Sequence, residues 1–191
     1  MIDELREKMA PFRILTGIEV DILDDGTLDQ EPELLDRLDV VVASVHSKLA
    51  MDEPSMTRRM VRAVSNSRVN VLGHCTGRLV TGNRGLRPES KFDAEKVFTA
   101  CRDNNTAVEI NSRPPERRDP PTRLLKLALD IGCDFSIDTD ATRRDSWTSS
   151  ATARSARSTA MSPPSNGSST RGRSRSCWVG PQASCRPAPT R

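Results

Sequence analysis

Much that would mark a familiar class of protein is missing from these 191 residues. No apolar run approaches the length needed to span a membrane, and the opening MIDELREKMAPF is charged, without the apolar core of a secretion signal. The expectation is a soluble, cytoplasmic protein with no membrane partner. The five cysteines (Cys75, Cys101, Cys133, Cys177 and Cys185) are odd in number and form no CxxC pair. That argues for free thiols in a reducing compartment rather than a disulfide framework. No Walker-type or dinucleotide-binding glycine motif occurs, and no internal repeat is visible. Ser44, Ser47 and Ser136 lie in no nucleophile-elbow context, which weakens a serine-hydrolase reading. Histidine is scarce: there are two, His46 and His74.

What is present divides into two compositions. From Thr142 to Arg191 the chain has nine arginines, no lysine and one acid (Asp145), a charge of +8. The whole chain carries +3, so residues 1–141 carry −5. The basic part is rich in Ser, Thr, Arg and Pro, and its large apolar residues are Met161, Val179, Trp147 and Trp178. These are too few to offset the entropy of ordering. The expected organisation is a folded body over 1–141 and a disordered tail over 142–191.

Within the body, short apolar runs alternate with amphipathic stretches. RILTGIEVDIL (13–23), DVVVASVH (39–46), VNVLGH (69–74), AVEIN (107–111) and DFSIDTD (134–140) suit strands. The segments EPELLDRL, DEPSMTRRMVRAVSN, SKFDAEKVFTACRDN and PTRLLKLALDIG suit helices, the last stopped by Gly132. Nearly continuous apolar strands that alternate with helices predict parallel pairing under a helical cover, an α/β fold. Polar residues cluster at the ends of these runs: Glu19 and Asp21, His46, His74, Glu109 and Asn111, Asp138 and Asp140. In parallel sheets and barrels those ends share one face, where active sites are built.

Carboxylates and imidazoles converging on one rim make a ligand set for Zn, Mn or Fe. Singly, each histidine reads as a strand-end residue bonded to backbone. Taken together, Glu19, His46, His74 and Asp140 read as metal ligands. Asp24, Asp25, Asp29 and Asp36 read as turn and helix-surface charges. A cation in such a site polarises a phosphoryl oxygen and lowers the pKa of bound water. Arg78, just after His74, and Arg113, just after Asn111, offer guanidinium forks for phosphate. Arg84, Arg117 and Arg118 read as solvated loop charges.

GIEVDI, VVASVHS, LGHCTGR, VEINSRPPERRDPP and FSIDTDA, in this order and spacing, resemble the PHP (polymerase and histidinol phosphatase) domain family over Phe12 to Ala141. The likeness is nearest to bacterial hydrolases related to the PHP domain of family-X DNA polymerases. The resemblance implies a distorted seven-stranded (β/α) barrel that binds up to three metals at its strand C-termini and hydrolyses phosphoesters. It implies that Glu19 bridges metals, that His46 and His74 complete one metal's set, and that Asp140 serves a neighbouring metal. The substrate would be a nucleic-acid 3′ end or a small phosphate such as histidinol phosphate.

Two departures stand beside it. The family's early His-x-His strand has no counterpart after Met1, and the closing Asp-Ala-His is replaced by Asp140-Ala141-Thr142. The expectation is a partial barrel of later strands, an unpaired sheet edge and hence poor solubility, oligomerisation or a complementing domain. One permitted codon choice for Ala141 to Thr148, with a single C restored, reads Ala-His-Ala-Pro-Gly-Gln-Leu-Asp. The same shift over 164–172 permits Glu-Gln-Trp-Ile-Val-Asn-Thr-Trp. The tail is therefore expected to be an out-of-frame translation, which the gene's DNA tests. A nucleic-acid-binding tail is the rival, but its arginines form no tight block and its tryptophans do not interleave with them. The functional expectation is an impaired metal-dependent phosphoesterase. Its alternative is a non-catalytic remnant that binds one metal, or nucleic acid through the tail.

Overall fold

The structure is a computed structural model, and it describes residues 2–81, 85–111 and 118–138. Five strands pair in chain order, all parallel: β1 (Gly17–Asp21), β2 (Val40–Ser44), β3 (Val71–Leu72), β4 (Ala107–Asn111) and β5 (Phe135–Asp138). Between them run α2 (Pro32–Leu35), α3 (Glu53–Val64), α4 (Ala94–Asp103) and α5 (Thr122–Ile131). The expected α/β class and parallel order are what the chain adopts. One element was not anticipated. The charged opening forms α1 (Ile2–Lys8), which buries no residue; Ile2 and Leu5 lie exposed along it, and Met9 is exposed just after it.

The helix boundaries follow local chemistry. The Asp52 carboxylate accepts from Ser55 N (3.0 Å) and caps α3, with Pro54 in the first turn. Asp93 does the same for α4 through Lys96 N (3.1 Å). Gly132 ends α5 in the left-handed conformation (φ 90°), as its position in the sequence predicts. The Thr57 hydroxyl accepts from Asp93 N (2.8 Å) and so ties α3 to the start of α4.

Each strand offers alternate residues to two environments. Val20, Val41, Ala43, Leu72 and Val108 face a helical layer in which Met56, Met60, Ala63 and Val64 of α3, Val97, Phe98 and Cys101 of α4, and Leu124 and Ala128 of α5 are buried. Phe92 meets Phe98 edge-on, with centroids 6.3 Å apart. The opposite face carries Glu19, Asp21, Ser44, Gly73, Glu109, Asn111, Ser136 and Asp138, and register keeps them together. Asp21 stands beside Ser44, Glu109 beside Ser136, and Asn111 beside Asp138. The strands are therefore not uniformly apolar: one face is core and the other is polar, as an inward-facing barrel wall would be.

Cys75, Cys101 and Cys133 are free and buried. No helix among the described residues is long and apolar enough to cross a membrane. Asp140, Arg113, Arg84, Arg117 and the whole of 142–191, with its domain boundary, disorder and frameshift expectations, lie outside the described residues.

Candidate metal centre

Glu19 lies on β1, His46 lies two residues beyond the end of β2, and His74 lies two beyond the end of β3. Because the three strands are adjacent and parallel, their C-terminal ends bring these side chains to one place. Glu19 Oε1 is 3.1 Å from His74 Nε2 and 3.5 Å from His46 Nε2, and the two Nε2 atoms are 3.3 Å apart. A cation with ligand bonds of about 2.0–2.1 Å in tetrahedral geometry separates its donors by about 3.4 Å. The triangle matches one face of that tetrahedron. The three atoms form a cluster suited to a metal ion among the described residues. The fit is one of donor chemistry as well as spacing, since two imidazoles and a carboxylate suit a borderline transition metal.

The three groups also shift one another's protonation. Hydrogen bonds to His46, then His74, hold the Glu19 carboxyl far below the usual carboxylate range. His46 is pushed up to about 9, chiefly by its hydrogen bond to Glu19, with Asp21 adding to it against the cost of burial. His46 Nδ1 is bonded to Asp21 Oδ1. His74 is buried, 3% exposed, and its ring lies 5.0 Å from that of His46 at 59°.

A second tier holds this triangle. The His74 backbone N–H donates to Glu109 Oε2, and Asn111 Nδ2 donates to Glu109 Oε1 (2.9 Å). Both residues are nearly fully buried, so these two strand-end polar groups support the site from beneath. A Cβ at Gly73 would lie 2.1 Å from Ser44 Oγ, so any side chain there forces Ser44 to shift. Just beyond His74, the buried Asp119 accepts from Thr76 Oγ1 (2.8 Å) and Thr76 N (3.1 Å). Cys75 is no nucleophile in this setting, since burial raises its thiol far above the ordinary value.

Arg59 was not singled out from the sequence. It is 1% exposed, and its guanidinium donates to the carbonyls of Ile22 and of Leu23 (2.9 Å) and to Ser47 O (2.9 Å). One buried cation thus joins the chain just after β1 to the residue after His46. Gly26 completes the turn beside it: its φ is 86°, and a Cβ would lie 2.6 Å from Arg59 O. No periodicity announces this role, because arginines flank it in RRMVR and all look alike as surface charges. A guanidinium beside two strand-end loops becomes visible only once α3 is packed.

The expected site residues divide accordingly. Glu19, His46 and His74 come together; Asp140 and Arg113 fall outside the described residues. Arg78 is committed elsewhere, with Nε donating to Arg118 O (3.0 Å) and Nη1 3.3 Å from Glu89 Oε1. Asp24, Asp25 and Asp36 pair with Lys48, Arg62 and Arg68, as expected of turn and surface charges.

No family model matches the chain. The DNA polymerase/3′-5′ exonuclease PolX of Bacillus subtilis (strain 168) is 39% identical over 140 residues, 73% of this chain and 24% of that protein. A probable phosphatase of Thermoanaerobacter sp. (strain X514) is 35% identical over 148 residues, 72% of this chain and 56% of that one. The chain therefore spans about a quarter and just over half the length of these relatives. Among solved structures, histidinol phosphate phosphatase from Lactococcus lactis, complexed with zinc, L-histidinol and phosphate, superposes with a TM-score of 0.58 at 20% identity. That match covers 84% of this chain and 72% of the other. These sequence relatives, with one glutamate and two histidines gathered at the ends of a parallel sheet, relate the chain to the PHP (polymerase and histidinol phosphatase) family.

Proposed function

We propose that the chain carries a metal-dependent phosphoesterase centre in which Glu19, His46 and His74 hold one divalent cation, Zn, Mn or Fe. The observation that carries this reading is the triangle of Glu19 Oε1 and the two Nε2 atoms, 3.1, 3.3 and 3.5 Å on its sides. A cation bound there supplies Lewis-acid polarisation of a phosphoryl oxygen and makes a neighbouring water more acidic. Glu19 contributes the anionic oxygen, and each imidazole contributes a neutral nitrogen lone pair. We assign Asp140 to a neighbouring cation and Arg113 to the phosphate oxygens. Arg78 belongs with Arg113 in that role if substrate displaces its bonds to Glu89 and the Arg118 carbonyl.

The substrate class is a phosphate ester. Two kinds are suggested by relatives: a nucleic-acid 3′ end, from the relative named as a 3′-5′ exonuclease, and a small phosphate, from the neighbour bound to L-histidinol and phosphate. Turnover by this chain is expected to be weak, because Thr142 stands where the family resemblance calls for histidine.

Metal content by plasma mass spectrometry, paired with hydrolysis of p-nitrophenyl phosphate in Mn²⁺ or Zn²⁺, tests the reading. The expected result is about one ion per chain, lost in His46→Ala and His74→Ala, and slow phosphate release abolished by His46→Ala. A wild-type chain that takes up no ion refutes the metal centre. One ion without hydrolysis of this ester or of an oligonucleotide 3′ end makes the chain a metal-binding protein and refutes the esterase.

A further inference from the structure

The metal reading uses one ring nitrogen of each histidine, Nε2. The other nitrogens are treated differently. His74 Nδ1 is buried with no hydrogen-bond partner among the described residues, so that ring is held by packing around it. The His46 side chain is 40% exposed and has room to turn. Its Nδ1 meets Asp21 Oδ1.

Strand geometry accounts for the meeting. Asp21 follows Glu19 by two residues on β1, so both side chains leave the same face. Asp21 is in register with Ser44 of β2, and His46 lies two residues beyond Ser44. The Asp21 backbone is also clamped: its N–H donates to Asp29 Oδ1 (3.0 Å), and its carbonyl accepts from Asp29 N (3.1 Å). The carboxylate is thus offered from a fixed main chain to the His46 nitrogen that Glu19 and His74 do not engage.

We infer that Asp21 is the positioning residue for His46: its carboxylate accepts a hydrogen bond from Nδ1–H, which keeps the proton on that nitrogen and leaves the Nε2 lone pair aimed at the point shared with Glu19 Oε1 and His74 Nε2. A carboxylate behind a metal-binding histidine fixes tautomer and ring angle and makes the ligand more basic; losing one typically costs ten- to a hundredfold in metal affinity. The two histidines are then oriented by different means. The buried ring relies on its walls, and the exposed one relies on Asp21. This assignment rests on the metal reading above.

The test is Zn²⁺ affinity by chelator competition for wild type, Asp21→Ala and Asp21→Asn. Long-range ¹H–¹⁵N spectra of the zinc-loaded proteins read the His46 tautomer. Asparagine keeps an acceptor oxygen but no charge; alanine keeps neither. The expected result is a loss of about ten- to a hundredfold in Asp21→Ala and a smaller loss in Asp21→Asn. A protonated Nδ1 and zinc-bound Nε2 are expected at His46 in wild type and in Asp21→Asn. Asp21 is half exposed, and chelator-treated variants that melt with wild type show that the fold is kept. Alanine within about threefold of wild type, equal losses in both variants, or zinc on Nδ1 overturns the role of Asp21 while leaving the metal centre intact. Wild-type protein that binds no Zn²⁺ overturns the metal reading itself, and this inference with it.

Discussion

Zinc titrated into the metal-free protein at a series of pH values should bind more tightly as the pH rises from 7 to 9. In the metal-free protein His46 is raised to about 9, and a cation needs the Nε2 lone pair that this proton occupies. Glu19 is shifted down, so it stays ionised throughout the range and one proton is at issue. At pH 7 a group with a pKa of about 9 is protonated about a hundred times more often than not, which weakens binding by about that factor. Solvent screening discounts this, because the His46 side chain is 40% exposed. The expected gain between pH 7 and pH 9 is therefore about ten- to a hundredfold, levelling off above. Stability of the metal-free protein runs the other way. The contribution of a raised histidine is fully present below its ordinary value of 6.5 and is lost as the pH climbs through about 9. Chelator-buffered zinc titrations measure the affinity, and calorimetry in buffers of different ionisation enthalpy counts the released proton. An affinity that is flat or falling over this window, or binding near pH 7 without release of about one proton, would refute the reasoning.

Arg59→Lys should destabilise the chelator-treated protein by about 2–4 kcal/mol in urea unfolding, because a point-charge ammonium cannot serve the Ile22, Leu23 and Ser47 carbonyls at once. A loss under about 1 kcal/mol would deny Arg59 its clamping role. Gly73→Ala should cost about 1–3 kcal/mol by driving a methyl into Ser44 Oγ. Ser44→Ala in the same chain should return part of that loss, and strictly additive losses in the double-mutant cycle would place the strain elsewhere.

Several features could be read along the chain because their causes are local. Asp52, Asp93 and Gly132 cap helices through residues within one turn of themselves. The strand–helix beat implied parallel pairing, and parallel pairing implied that polar strand ends would share a rim. That inference alone brings Glu19, His46 and His74 together. The sequence does not announce α1, because Ile2 and Leu5 stand among charged residues and lead to no buried face. The polar face of the sheet was obscured for a related reason. Val40, Val42, Val71 and Ala107 make apolar runs in sequence, although they stand on the same face as Ser44, Gly73 and Glu109.

Composition, parallel pairing and the meeting of Glu19, His46 and His74 were thus legible one residue at a time, since each depends on period and the direction of pairing. The support beneath those side chains was not. Asp21 meets a ring 25 residues away, and Arg59 reaches loops 12 and 37 residues away. Glu109 bonds a backbone amide 35 residues before it. Such partners depend on strand register and on the path of the loops between, so they acquire their roles only when packing against the helical layer brings the loops into place.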